Sequence, residues 1–165
     1  MEIKYKKLLF VCLGNICRSP VAEGVFRHLL EKKSLSNQIL VDSAGTGNWH
    51  AGEAPDLRTQ QNLLSHGIDI SSLKARQLQL EDFTKYDLIL VMDKSNLEDV
   101  VKLAKNDFQK SKVHLLRNFD PEPESREVPD PYYGGKQGFE NVYQIVKRSC
   151  EKLIERIAAR EELNY

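Results

Sequence analysis

Residues 12–19 read Cys-Leu-Gly-Asn-Ile-Cys-Arg-Ser: a cysteine and an arginine with five residues between them, followed at once by serine. The backbone N–H groups of so tight a loop converge on one point, and a helix starting just after it adds its positive end. The natural occupant of such a site is a phosphate-sized dianion. Arg18 contributes a planar fork that holds two phosphate oxygens at once, which a lysine could not do. The same field favours the thiolate of Cys12 over its thiol, and a thiolate is a nucleophile. Ser19 can donate a hydrogen bond to that sulfur, steadying it as an anion and later as a leaving group. Gly14 and Asn15 both tolerate the left-handed backbone that a tight loop demands.

Thiolate attack on a phosphoryl group needs a partner to protonate the departing oxygen. Asp130 is the candidate, in Val128-Pro129-Asp130-Pro131-Tyr132-Tyr133-Gly134-Gly135, where the flanking prolines hold its carboxyl on a stiff arm. The nearby Asp120, Glu122, Glu124 and Glu127 should raise its pKa by like-charge repulsion, which suits a general acid. Other readings of these residues fit less well. A nucleotide-binding loop wants two glycines and a lysine, and this one has a single glycine and an arginine. Cys12 and Cys17 stand too far apart for a thioredoxin-like pair, and zinc would need four ligands that nothing in the sequence assembles. Taken alone, an Asp-Pro pair is ordinarily just a turn.

The elements that must position these residues follow from periodicity. Residues 7–12 read as a buried strand halted by Gly14, and Ser19-Pro20 as an N-cap with proline at the first helical position. Val21, Val25, Phe26, Leu29 and Leu30 then recur at helical spacing. Residues 39–41 read as a second strand, followed by a glycine-rich loop over 43–47. A helix over 55–66 stops at Gly67, and residues 87–92 read as a third strand. Asp93 opens a helix carrying Leu97, Val100, Val101 and Ala104. Residues 113–116 read as a fourth strand, a long loop runs from 118 to 138, and Phe139, Val142, Val146, Cys150, Leu153 and Ile157 mark a last amphipathic helix. Strands that alternate with helices and are apolar on both faces predict α/β architecture: an open parallel sheet of about four strands with helices on both sides. Ligands in such sheets bind beyond the carboxyl ends of the strands, which is where Cys12 falls.

Composition narrows the function classes. The chain of 165 residues suits one domain, 1–165. Its 24 Lys and Arg balance 24 Asp and Glu, which argues against nucleic acid or an anionic membrane surface as partner. The longest apolar runs are far shorter than the roughly 18 residues of a spanning helix, and the N-terminus lacks a signal-peptide pattern. Three cysteines cannot build a disulfide framework, so a reducing cytoplasm is expected.

With these residues in view, the sequence resembles the low-molecular-weight protein tyrosine phosphatases over nearly its whole length. Val11 to Pro20 looks like that family's phosphate loop. Asp42-Ser43-Ala44-Gly45-Thr46, Met92-Asp93 and Asp130-Pro131-Tyr132-Tyr133-Gly134 resemble its other signature segments, in the family's order. The resemblance implies a Rossmann-like sheet of the phosphotyrosine phosphatase I type. It implies Cys12 as the nucleophile forming a phosphocysteine, Arg18 as phosphate clamp, and Asp130 as the acid that later serves as base to activate water. Leu13, Gly14, Asn15, Ile16, Cys17 and Ser19 would surround the bound phosphate. Trp49, Tyr132 and Tyr133 match the aromatic walls of the substrate cleft, whose depth would favour phosphotyrosine over phosphoserine.

Ser43 resembles the serine that supports Asn15, while Asp93 fits both a cleft edge and a helix N-cap. His66, just before Gly67, reads as a helix C-terminal cation. No metal and no organic cofactor is implied. The partners would be phosphotyrosine-containing proteins and inorganic phosphate or a similar oxyanion, for a monomer or weak dimer. Cys17 would protect oxidised Cys12 as a disulfide. One departure stands out: mammalian-type members carry a histidine just before the Ala-Arg pair, where this chain reads Leu73-Lys74-Ala75-Arg76. Support for Asn15 must come from elsewhere. Rival activities on the same scaffold fit worse. An arsenate reductase needs further relay cysteines, and only Cys150 lies outside the loop. Phosphoarginine phosphatases carry threonine where this chain has Ile16. A non-catalytic phosphopeptide-binding module would lack Cys12 or Asp130.

Overall fold

The structure, a computed structural model, describes residues 2–132 and 134–164. Strands β1 (Lys7–Cys12), β2 (Leu40–Gly45), β3 (Leu88–Val91) and β4 (Val113–Leu115) form one sheet in the order β2-β1-β3-β4, and every pairing is parallel. The helices are α1 (Arg18–Lys32), α2 (Leu57–Ser65), α3 (Asp82–Lys85), α4 (Lys94–Leu103), α5 (Asp107–Lys110) and α6 (Gly135–Ala158), with a 3₁₀ turn at Leu116–Phe119.

Strand parity explains the continuous apolar runs. Leu8, Phe10 and Cys12 of β1, with Leu88 and Leu90 of β3, pack into one core with Val25, Phe26, Val146 and Cys150 of α1 and α6. Leu9, Val11, Ile89 and Val91 point the other way, against Phe83, Tyr86 and Val100. Both faces are covered, so no position on β3 is free to be polar. Fully burying one Leu or Phe side chain stabilises by about 1.5–3 kcal/mol. A one-residue slip would exchange the two faces and carry Cys12 to the wrong side. Cys12, the last residue of β1, pairs with Gly45. Its sulfur therefore emerges at the carboxyl end of the sheet, where the strand order reverses between β1 and its neighbours.

Several sequence expectations need correction. Ser19 is not an N-cap: α1 begins at Arg18, and Cys17 occupies the cap with no side-chain hydrogen bond. Ser19 instead turns its hydroxyl toward Cys12 and Asn15, and the uncapped helix end keeps its N–H groups for an anion. Residues 43–45 are not loop, because β2 runs on to pair Ser43, Ala44 and Gly45 with Phe10, Val11 and Cys12. The loop over 118–138 is shorter than expected, bounded by the 3₁₀ turn and by α6. The two four-residue helices α3 and α5 are too short to leave a periodic signature.

Candidate active site

The loop after β1 is held from outside by its carbonyls. Thr46 and Gly47 donate their N–H groups to the carbonyls of Cys12 and Leu13, both at 2.9 Å, and Asp56 donates to that of Ile16 at 2.9 Å. With carbonyls drawn outward, the loop's amides are left for the interior. Asn15 takes the left-handed conformation expected of it, with φ of 57°. Gly14 does not, and its requirement is steric: a side-chain carbon there would meet the His50 ring at 3.2 Å. Gly45 serves the same end from β2, since a Cβ would approach the Leu13 carbonyl oxygen to 2.7 Å.

Behind the loop lies a chain of hydrogen bonds. Cys12 Sγ is 3.0 Å from Ser19 Oγ and accepts the Asn15 N–H at 3.3 Å. Asn15 Nδ2 donates to Ser19 Oγ at 2.8 Å and to Ser43 Oγ at 2.9 Å, while its Oδ1 accepts the Arg76 N–H at 3.0 Å. These three contacts brace Asn15 without the imidazole that the family resemblance would place before Ala75. The side chains of Asn15 and Ser19 thus face the sulfur and the second layer, not the cavity.

Arg18 is almost fully buried, and its Nη1 donates to Asp93 Oδ2 at 2.6 Å and to the Val128 carbonyl at 3.1 Å. Burial works against its charge, but Cys12, Asp93 and Asp130 outweigh that and push its pKa up. Of the two roles its position suggested, Asp93 takes the N-cap, and it meets the site through Arg18 and not at the cavity's edge. Its other oxygen accepts the Asn96 N–H at 2.8 Å and caps α4.

The Val128 contact ties the guanidinium to the segment that carries Asp130. That segment is anchored further by Val128 N–H on the Met92 carbonyl at 2.7 Å and by Arg117 on the Glu127 carbonyl at 2.8 Å. Asp130 itself is exposed, and its Oδ1 accepts the Tyr132 N–H at 3.0 Å in an Asx turn. Two of the neighbouring acids expected to press on it are engaged elsewhere. Asp120 is clasped by Arg117 and Arg148, and Glu127 accepts the Lys94 N–H at the start of α4.

Cys12, Leu13, Gly14, Ile16, Cys17, Arg18, Trp49, Asp130 and Tyr132 converge on one cavity of about 130 Å³, joined by His50. Trp49 lies over Gly47, where a Cβ would strike its ring at 1.8 Å. Tyr132 is set by Arg58, which donates to its carbonyl at 3.1 Å and stacks on its ring 5.1 Å from the centroid. Tyr133, expected as a second wall, lies outside the described residues. Ser43 and Asp93 stand behind the cavity as supports. Burial pushes the Cys17 thiol up to about 12. A larger groove of about 580 Å³ lies between α1 and α6, lined by residues such as His28, Lys32, His66 and Tyr143, with no cysteine among the described residues that line it. His66 caps the end of α2 and bonds Glu140 at 2.7 Å, a brace between helices.

Sequence reasoning missed His50, Arg58, Arg76 and Glu23, whose Oε1 accepts the Ser43 hydroxyl at 2.6 Å. Only Glu23 left a signal. Ser19, Glu23 and Arg27 recur every four residues, a polar stripe that begins in the buried first half of the helix.

The family model for low molecular weight phosphotyrosine protein phosphatase matches residues 7–163. The rat low molecular weight phosphotyrosine protein phosphatase is 43% identical over 156 residues, which cover 94% of this chain and 98% of that protein. A solved protein tyrosine phosphatase from Entamoeba histolytica superposes with a TM-score of 0.89 at 38% identity, covering 93% of this chain and 97% of that one. A drosophila protein described as an arginine phosphatase superposes with a TM-score of 0.85 at 36% identity, covering 91% and 96%.

Proposed function

The chain belongs to the low molecular weight phosphotyrosine protein phosphatase family, and on that premise we propose that it hydrolyses phosphotyrosine in protein substrates through a phosphocysteine intermediate. The sulfur of Cys12 attacks phosphorus, the S–P bond forms, and the bond to the tyrosine oxygen breaks as Asp130 delivers its proton there. Asp130, now a carboxylate, takes a proton from water, and the resulting hydroxide attacks the phosphocysteine. The S–P bond breaks, inorganic phosphate leaves, and the thiolate of Cys12 returns with the Ser19 hydroxyl 3.0 Å away to receive it. Arg18 and the loop amides hold the three phosphoryl oxygens, where charge spreads in the transition state.

The observation that carries this reading is the meeting of Cys12, Arg18 and Asp130 in one cavity walled by Trp49 and Tyr132. Phosphoarginine is the second reading, because one structural neighbour is described as an arginine phosphatase. Ile16 lines the cavity with apolar surface that suits an aryl ring and offers no polar atom to a guanidinium. Peptides bearing phosphotyrosine, phosphoserine and phosphoarginine, turned over side by side with chelator present, decide between these. Phosphotyrosine is expected to be fastest, and Cys12→Ser to abolish turnover while still binding inorganic phosphate. Faster turnover of phosphoarginine, or residual turnover by Cys12→Ser, would overturn the assignment.

The family match over 7–163 supports taking 1–165 as one phosphatase domain. Cys12, Cys17 and Cys150 are free thiols, and a nucleophilic thiol works in a reducing compartment, which supports the cytoplasm as its location. No helix among the described residues is long and apolar enough to cross a membrane. We take the working species as a monomer or weak dimer.

A further inference from the structure

Glu23 is a carboxylate only 2% exposed, one helical turn beyond the loop, and the reaction above gives it no part. Its Oε1 accepts the Ser43 hydroxyl at 2.6 Å, and its Oε2 lies 2.6 Å from Arg27 Nη2. That nitrogen donates to the Val41 carbonyl at 2.9 Å, so the contact with Glu23 is an ion pair without a well-aligned hydrogen bond. Burial, joined by Asp42, raises the pKa of Glu23 above the usual carboxylate range, although Ser43, Arg27 and Arg76 oppose it.

An ionised carboxylate can accept protons in hydrogen bonds but has none to give. Ser43 must turn its own proton toward Glu23, and its oxygen is then left as an acceptor for Asn15 Nδ2 at 2.9 Å. The Arg76 N–H on Asn15 Oδ1 fixes the other end of the same amide. The second Nδ2 proton goes to Ser19 Oγ at 2.8 Å, which leaves the proton of Ser19 itself for Cys12 Sγ at 3.0 Å or for the more distant Ala44 carbonyl at 3.5 Å. Were Ser43 to point its proton at Asn15 instead, two donors would face each other inside a buried network, and such a mismatch is costly there.

We propose that Glu23 is a positioning residue for the nucleophile: it sets the direction of the Glu23–Ser43–Asn15–Ser19–Cys12 hydrogen-bond chain, so that Ser19 donates to the sulfur. The inference rests on Cys12 as nucleophile but not on the identity of the substrate. Alkylation of Cys12 by iodoacetate, followed by mass spectrometry of the peptide carrying it, reads the sulfur alone.

Glu23→Ala and Ser43→Ala are each expected to slow alkylation at pH 7, well above the ordinary carboxylate range, about tenfold, the equivalent of one pH unit in thiolate population. The double variant is expected to be no slower than the slower single one, because both cut the same chain. Glu23→Gln, whose amide oxygen still accepts from Ser43, should stay within about twofold of wild type, since it keeps the hydrogen bond and loses only the charge. A simple charge effect has the opposite sign, because a carboxylate repels a thiolate and its removal would speed alkylation. Unchanged or faster alkylation in a folded Glu23→Ala protein, or additive losses in the double variant, would overturn the proposal. Should Glu23→Ala fail to fold, Ser43→Ala reacting at the wild-type rate would overturn it equally.

Discussion

Asp93 stands at a junction where two kinds of energy can be separated by choice of side chain. One oxygen caps α4 through the Asn96 N–H at 2.8 Å, and the other meets Arg18 Nη1 at 2.6 Å. Asp93→Asn keeps the cap, because asparagine caps as well as aspartate, yet it withdraws the negative charge from the guanidinium. The Arg18 side chain is only 6% exposed, so water cannot replace the lost partner and little screening applies. A hydrogen bond to a charged group contributes about 1.5–3 kcal/mol, and about 1.4 kcal/mol is a factor of ten. The Asn variant should therefore lose about 10- to 150-fold in kcat/KM if the whole of that interaction holds Arg18 for the transition state. Asp93→Ala should lose a similar amount of activity and, in addition, about 1 kcal/mol of cap, lowering Tm by roughly 2–4 °C in a chain of this size. The assays are kcat/KM on p-nitrophenyl phosphate and thermal melts by circular dichroism. Wild-type kcat/KM in Asp93→Asn, or equal Tm losses in the two variants, would refute the division of labour.

Other perturbations probe the remaining groups. Asp130→Ala should slow phenyl phosphates with poor leaving groups by about 10²- to 10⁴-fold, but nitrophenyl phosphate much less, since a good leaving group needs little protonation; a leaving-group series with equal losses would remove Asp130 from the acid's role. Peroxide should inactivate the wild type reversibly, with dithiothreitol restoring activity, whereas Cys17→Ser should start nearly as active and recover poorly; full recovery of that variant would deny Cys17 a protective part. For Glu140, burial raises the pKa, but hydrogen bonds from Gln144, His66 and Asn62 outweigh this and bring it down from 4.5 to about 2. Its folded pKa lies below the unfolded one, so its stabilisation is complete above pH 4.5 and is lost as pH falls toward 2. Tm should accordingly fall less steeply over that range in Glu140→Gln than in wild type, and parallel curves would contradict the brace.

Much of the fold was legible because two-sided burial writes itself into sequence. Leu88 to Met92 could be uniformly apolar only if both faces of a strand were covered. The errors fell where local chemistry obeys a different demand. Ser19 followed by Pro20 looks like a helix cap, yet capping would satisfy the N–H groups that an anion needs, and the hydroxyl serves Cys12 instead. Residues 43–45 look like a turn because they are small and polar. They are a strand whose small side chains let the loop backbone lie within contact distance, as the 2.7 Å approach at Gly45 shows.

The site divides along the same line. Cys12 to Ser19 are consecutive, so their convergence is a property of one loop and can be read from spacing alone. Asp130 could be named as a candidate from its proline-flanked segment, but its meeting with Arg18 could not be read from spacing, because 111 residues lie between them and the Val128 carbonyl that joins them is a backbone atom. Arg58 and Arg76 act on the site through a carbonyl and an N–H, and sequence carries no mark of where a backbone group will point. Glu23 is the intermediate case. A polar residue every fourth position ordinarily means a solvated helix face, and here the burial of Ser19, Ala22, Gly24 and Phe26 around Glu23 makes its part of the stripe internal while Arg27 stays exposed. Once inside, a charge cannot be idle: it must be paired and hydrogen-bonded to persist. Here its partners lead, bond by bond, to the sulfur of Cys12.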